Sequence, residues 1–257
     1  MNGRLQPLQR LLSLSTPNNM YAKTLLVAAV ATLTLAACDK DEVNNKKDNP
    51  TPMPVPGQVQ QTAKVVTVKN VGMTPGNGAY ANWTYVNLAT GEHETHPDFG
   101  TWTYINTKTK EVTTEKKAGS LDDVKIKWDL AFRYNMIRTN NGATKLLAAT
   151  EFNEVKTADM ANISVVDTIA TGKDRVMVDF ANMMNGILTY TSNDVRNPVL
   201  STMFTRKGQM PNISYEPKPN VVALRTNDGR HFLLKFKGFT NNAGTNGFYT
   251  FDAVAVK

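Results

Sequence analysis

Thioether sulfur is a soft donor to transition metals, and this chain holds eleven methionines against one cysteine and three histidines. Nine of them follow the N-terminal apolar segment: Met53, Met73, Met136, Met160, Met177, Met183, Met184, Met203 and Met210. The ordinary work of methionine is to fill gaps in a core, and Met177 and Met203, inside apolar runs, fit that role. Met183, Met184 and Met210 fit it less well. The first two precede an Asn185-Gly186 turn and the third precedes Pro211, and turns usually lie at the surface. Pro211 restricts Met210 to an extended conformation, and Gly208 supplies the bend before it. The two turns are 26 or 27 residues apart. One thioether from each could face the other across a pocket, as the two axial ligands of a haem iron. A methionine axial ligand raises the haem potential, so such a site favours reduced iron. Adjacent strand residues point to opposite faces, so Met210 would pair with only one of Met183 and Met184 unless the turn distorts.

The rest of such a pocket should be apolar and aromatic, with cations near the propionates. Phe180, Phe204, Tyr134 and Tyr215 are the candidate walls. Arg133, Arg138 and Arg206 are the candidate propionate partners. Iron of the haem is the only metal expected. His93 and His96 lie three apart in a Gly91-Glu92-His93-Glu94-Thr95-His96 stretch with no evident third ligand, and a zinc site needs more. His231 reads as a structural strand residue. The sequence has no Gly-x-Ser-x-Gly elbow, no phosphate-cradling glycine loop and no thiol nucleophile past residue 38, so no catalytic set emerges.

The elements that must position these residues read as β. Lys64 to Lys69 alternates with period two, and so does Val124 to Trp128, with Val124, Ile126 and Trp128 on one face. Val176 to Phe180, Ile187 to Tyr190 and Val199 to Phe204 are short apolar or β-branched runs. Val221 to Thr226 and His231 to Phe239 flank Asn227-Asp228-Gly229, a hairpin signal, and Phe248 to Val256 adds a third strand to an antiparallel meander. Trp83-Thr84-Tyr85-Val86-Asn87 is echoed by Trp102-Thr103-Tyr104-Ile105-Asn106 at an offset of 19, with Thr90/Thr109 and Glu92/Glu111 also matching. Each copy reads as a strand leading into a turn. No long helical pattern is present. The expectation is all-β: a single antiparallel β domain over residues 64–257, hairpin-rich with little helix, a sandwich or irregular barrel.

Ahead of it, residues 1–37 read as a secretory signal, with Met1 to Asn19 upstream of a signal that could start at Met20. The apolar run from Leu25 to Ala37 is short for a bilayer span. It ends Leu35-Ala36-Ala37-Cys38, which resembles the bacterial lipobox, with Cys38 as the lipidated residue and lipid as the only membrane attachment. Residues 38–63, with Pro50, Pro52, Pro54 and Pro56, read as a disordered tether, and Lys40-Asp41-Glu42 resembles the export signal of surface lipoproteins of Bacteroidetes. The formal net charge is +7; losing Arg4, Arg10 and Lys23 with the presequence leaves +4, which is no nucleic-acid signature. With Cys38 the sole cysteine, no disulfide framework is available.

The run from Trp128 through Phe132-Arg133-Tyr134 to Asn140 resembles the signature of the HmuY-like haem-binding lipoproteins. So do Val176 to Phe180 running into Asn182-Met183-Met184, then Asn197 to Ser201, the Met210-Pro211 turn and the closing Phe248 to Asp252 strand. The resemblance covers roughly residues 64–257. It implies a mostly β fold with haem between two hairpin-like loops. It also implies a surface or shed outer-membrane lipoprotein, not an enzyme, that takes haem from host haem proteins and passes it to a TonB-dependent outer-membrane receptor. The best-known member uses two histidines, and this sequence has none in either ligand region. On the resemblance Met210 maps onto the second ligand loop and Met183 or Met184 onto the first. The competing reading is a surface glycan-binding lipoprotein that uses Trp83 and Trp102 as stacking platforms.

Overall fold

Alternating apolar residues in the last third of the chain build the sheet on which the rest is laid. The computed structural model describes residues 56–72, 80–209 and 212–257. The presequence, Cys38 and the tether up to residue 55 lie outside the described residues, as do Met73, Met210 and Pro211. The strands in chain order begin with β1 (Gln61–Gly72), β2 (Asn82–Val86), β3 (His93–Pro97), β4 (Thr101–Asn106), β5 (Val112–Lys116) and β6 (Leu130–Arg133). They continue with β7 (Met136–Thr139), β8 (Ala143–Leu146), β9 (Thr168–Ile169), β10 (Met177–Asp179), β11 (Ile187–Thr191) and β12 (Val195–Arg196). The last are β13 (Phe204–Lys207), β14 (Ser214–Pro217), β15 (Val222–Arg225), β16 (His231–Thr240) and β17 (Asn246–Val256). All strand pairs are antiparallel, and the helical pieces among the described residues are single 3-10 turns.

Three sheets matter here, ordered β1-β17-β16-β15-β8, β3-β2-β6-β7 and β10-β11-β4-β5. Period-two alternation sends Phe232, Leu234 and Phe236 of β16 and Tyr249, Phe251 and Ala253 of β17 to one face. There they pack with Val86, Leu130, Phe132 and Ile137 of the second sheet in the main core. The opposite face of the first sheet, with Ala223, Leu233 and Val254, is covered by Leu147, Val155 and Ile163. The opposite face of the second sheet carries Trp83, Tyr85 and Ala131, and it packs with Val178, Trp102 and Val176 of the third sheet and its approach. The C-terminal meander is present as read, and Gly229 turns its first hairpin at φ 84°. The chain is tied down before residue 64, since Gln58 bridges Lys156 and β1 starts at Gln61.

Two expected strands are absent. Residues 124–128 are irregular, because the Glu94 carboxylate accepts from the amides of Lys125 at 2.9 Å and Ile126 at 3.1 Å, where a ladder would have had backbone carbonyls. Val124, Ile126 and Trp128 still pack on one cluster. Residues 199–203 form a 3-10 turn instead of a strand. The buried Asn197 side chain starts it by accepting from the amides of Val199 and Leu200, both at 3.1 Å. An Asn ahead of an apolar run is an N-cap signal that competes with strand propensity.

The internal repeat encodes one turn used twice. In the first copy the Asn87 side chain accepts from the amides of Ala89 and Thr90, and Thr90 Oγ1 accepts from the Glu92 amide. In the second, Asn106 accepts from Lys108 and Thr109, and Thr109 Oγ1 from Glu111. The copies make the β2–β3 and β4–β5 hairpins, which lie in different sheets. They differ at the fifth turn position. Gly91 has φ 82°, whereas Lys110 holds the same left-handed region at φ 64°, which costs a residue with a Cβ about 1–2 kcal/mol. We expect Lys110→Gly to raise the unfolding free energy by about 0.5–1 kcal/mol after glycine's greater loss of chain entropy. Urea denaturation at neutral pH measures it, and a fall in stability would contradict the turn equivalence.

Candidate functional site

The methionine-bearing turn joins β10 to β11. Asp179 Oδ1 accepts from the Ala181 amide at 2.8 Å. The chain then makes a 3-10 turn, Met183–Asn185, closed by Gly186 at φ 82° and ψ 24°. The Gly186 and Ile187 amides donate to Met183 O at 2.9 Å and Asn182 O at 3.1 Å. The strand rule that would have sent Met183 and Met184 to opposite faces does not apply, because successive residues of a 3-10 helix are about 120° apart. Met183 is 40% exposed and Met184 87%. Phe180, three residues earlier, is 44% exposed.

From Phe180 a row of aromatic rings runs into the molecule. Phe180 lies 6.4 Å from Tyr80, which stands edge-on to Tyr134 at 5.3 Å. Tyr134 is 5.8 Å from Phe239, and Phe239 is 4.6 Å from Tyr215 and 5.3 Å from Phe204. Tyr134 sits at φ 39°, a left-handed conformation that an aromatic residue adopts only under tertiary constraint. Tyr80 donates to Asn135 Oδ1 at 2.7 Å. Burial first, then the neighbouring Tyr215, pushes the Tyr134 phenol above its ordinary value; burial and then Tyr134 do the same to Tyr80. The Tyr80 and Tyr134 hydroxyls therefore stay protonated at neutral pH.

The row connects the methionine turn to the β13–β14 hairpin, where Lys207 pairs with Ser214 and Arg206 with Tyr215. Met210 belongs to the connection between those strands and lies outside the described residues. The near side of that connection is fixed by Asn246, whose side-chain amide donates to Ile213 O at 3.2 Å. The four aromatic residues named from sequence thus share one contiguous row. Tyr80 and Phe239 were missed. Tyr80 had no periodic neighbours to flag it, and Phe239 follows a register break after Phe236 in β16.

The three arginines fare differently. Arg206 is exposed on β13. Arg133 is fully buried: its Nη1 is 3.4 Å from Asp98 Oδ2, and its guanidinium lies 4.6 Å from the Trp83 ring. The sequence reading set it beside a propionate; here its guanidinium lies in the interior, next to Asp98. Arg138 stacks on Trp83 at 4.5 Å and donates to Asn193 Oδ1 at 2.7 Å and the Tyr85 hydroxyl at 3.1 Å. Trp83 has no exposed surface and cannot stack a sugar. Trp102 lines a cavity of about 400 Å³ with Asp98 and Lys117, but the Lys117 ammonium already stands 4.3 Å over its ring. The paired-tryptophan platform is therefore not formed. His93 and His96 are on β3, where His96 is 3.0 Å from Glu94. Among the described residues no group of three or more His, Cys, Asp or Glu could hold a metal ion.

A family model described as HmuY protein matches residues 79–252, more than half of the chain. The chain belongs to the HmuY family. The HmuY match spans the methionine turn, the aromatic row and the β13–β14 hairpin together. The apo HmuY analog TFO of Tannerella forsythia is 27% identical, with a TM-score of 0.60 over 77% of this chain and 97% of that one. Apo PinO of Porphyromonas gingivitis is also 27% identical, with a TM-score of 0.63 over 76% of this chain and 99% of that one. No curated protein matches in sequence.

Asp98 is the counter-charge on which this HmuY-family interior turns. Burial pushes its carboxyl up, but Arg133 and donors from Thr191, Asn193 and Trp102 outweigh that and hold it below the ordinary 3.8. Its share of the stability is complete above that value and disappears as pH falls through the depressed one. Asp129 and Asp167, pushed up chiefly by burial, act in the opposite sense. Asp98→Asn removes the one carboxylate within ion-pair distance of the buried Arg133 and leaves only Asp194 beyond it, so we expect a loss of about 3–5 kcal/mol at pH 7. The loss should shrink towards pH 3, and urea unfolding at the two pH values measures both. An unchanged midpoint at pH 7 would refute the assignment.

Proposed function

We propose that this chain is a haem-binding carrier of the bacterial surface, anchored through Cys38, and that it holds haem between Met210 and one of Met183 and Met184. The observation that carries this reading is the methionine turn. Two thioethers and a phenylalanine are exposed within five residues, Met184 almost fully, on a turn whose backbone is closed by its own hydrogen bonds. Single exposed apolar residues are ordinary, but a contiguous apolar patch calls for a partner. The aromatic row behind it offers ring edges and faces to a flat apolar ligand, and the exposed Arg206 is a cation suited to a propionate. Thioether donors fit iron, most firmly in its reduced state; bound haem would supply the iron and the carboxylates, and the protein the two sulfurs and the slot. Membership of the HmuY family supports the same reading. The family's binding role, together with a sequence that offers no catalytic set, supports a carrier that is not an enzyme. Transfer to a TonB-dependent outer-membrane receptor, uptake from host haem proteins and a surface location are parts of the proposal.

Haem titration with and without dithionite tests it. We expect a Soret shift at micromolar protein, sharper and tighter in the reduced state. Met210→Ala should weaken reduced-haem binding by about tenfold or more, the loss of one axial ligand. Of Met183→Ala and Met184→Ala, one should match that loss and the other should not. No Soret change in either redox state would end the proposal.

A further inference from the structure

The two copies of the repeated turn differ where the second copy meets the methionine turn. The two copies, Asn87-Leu88-Ala89-Thr90-Gly91-Glu92 and Asn106-Thr107-Lys108-Thr109-Lys110-Glu111, keep the same three anchors and the same hydrogen bonds. They differ at the other three positions, and each difference has a consequence in the second copy. Leu88 is buried in the core. Its counterpart Thr107 donates from its amide at 2.8 Å and its hydroxyl at 2.9 Å to the carbonyl of Gly186. The β4 turn therefore grips the residue that closes the methionine turn. Ala89 becomes Lys108, whose aliphatic stem runs past Gly186: a Cβ built there would meet Lys108 Cε at 3.6 Å and Thr107 Oγ1 at 2.9 Å. Gly91 becomes Lys110, held at φ 64° where glycine would be unstrained, with its ammonium 2.7 Å from Thr107 O. Both lysines are exposed. A left-handed lysine where the sister turn has glycine is backbone strain of the kind that gathers at functional sites.

We propose that Lys108 and Lys110 form a cationic rim beside the methionine turn that receives the carboxylates of the ligand, and that Thr107 is the residue that fixes the distance between rim and turn. This rests on the haem reading and deepens it, since it sets the carboxylate-recognising charge on the β4–β5 turn, beside the methionine turn itself, in place of Arg206 of β13. Lysine suits the task as a point charge on a flexible stem, and its reach is screened by salt.

The experiment compares the full chain with the Lys108→Gln/Lys110→Gln variant, each titrated with haem and with haem dimethyl ester, at low salt and at about 0.5 M salt, with thermal unfolding as the control for folding. Exposed charge pairs are weak and screened, each worth about a few-fold in affinity at low salt. We therefore expect the parent to prefer haem over its ester by about three- to tenfold at low salt, and the variant or high salt to remove that preference while the Soret maximum stays in place. Equal haem affinities for parent and variant, with the parent's Soret shift intact, would overturn the rim and leave the haem site standing. A parent that shows no Soret shift with haem or with ester would overturn both. Thr107→Val supplies a ligand-free readout: amide hydrogen exchange at 183–187 should accelerate, and unchanged exchange would remove Thr107 from the proposal.

Discussion

A guanidinium without water around it must be answered by a carboxylate, and the space between the two four-stranded sheets is arranged to meet that need. Arg133 closes β6 and is fully buried against Trp83, with Asp98 at 3.4 Å. Asp98 lies on the link from β3 to β4, so the charge pair spans the junction of the second and third sheets. Its oxygens accept from Trp102 Nε1 at 2.9 Å from β4 and Asn193 Nδ2 at 2.7 Å from just past β11. One carboxylate thus gathers three segments. Such a pair adds little net stability compared with an apolar replacement, but it is unforgiving of misplacement, so it acts as a register pin. The strand it pins at one end, β11, is the strand that leaves the methionine turn at the other.

The opposite end of β11 is held by the duplicated turn. Asn106 pairs with Ile187, and Thr107 completes the grip on Gly186. The methionine turn is therefore clamped from both sides of a five-residue strand, by a buried charge at residues 191–193 and by a hydroxyl and an amide at residue 107. A turn fixed this way presents its side chains without having to be ordered first, and preorganisation of that kind is where binding affinity is most cheaply gained.

The β character, the C-terminal meander and the repeat could be read from sequence because each rests on local pattern: period two, an Asn-Asp-Gly turn and a close echo. What could not be read was set by side chains acting at a distance. Nothing near Val124 announces that Glu94, about thirty residues earlier, will take its neighbours' amides and prevent a ladder. At residues 199–203 the β-branched run pointed to a strand, and the Asn197 side chain turns the chain instead. The aromatic members of the site were named on proximity to the methionines in sequence and lie in one row because β13, β14 and the Tyr134 loop converge there. Arg133 was named on the same grounds and lies inside: nothing local distinguishes a strand-end arginine that faces solvent from one that faces a tryptophan and the aspartate of the β3–β4 link.

The remaining question is why a fold with so well-filled a core leaves Phe180, Met183 and Met184 in solvent. Full burial of such a side chain is worth about 1.5–3 kcal/mol, and the same chain buries Met136 and Met203 almost completely. The difference lies in where they stand: Met136 is on a strand of the second sheet and Met203 packs in the main core, whereas these three belong to the connection between β10 and β11. A sugar would gain little there, since it offers few apolar faces and asks for donors and acceptors that these side chains lack. A flat, largely apolar ring system with a metal at its centre and carboxylates at its edge asks for what the surface holds: sulfur, aromatic rings and, one turn away, cations. The apolar exposure and the lysine strain are separate departures from what folding alone would favour, and they occur on two turns hydrogen-bonded to each other. A single ligand that satisfies both explains them with fewer assumptions than two unrelated local accidents.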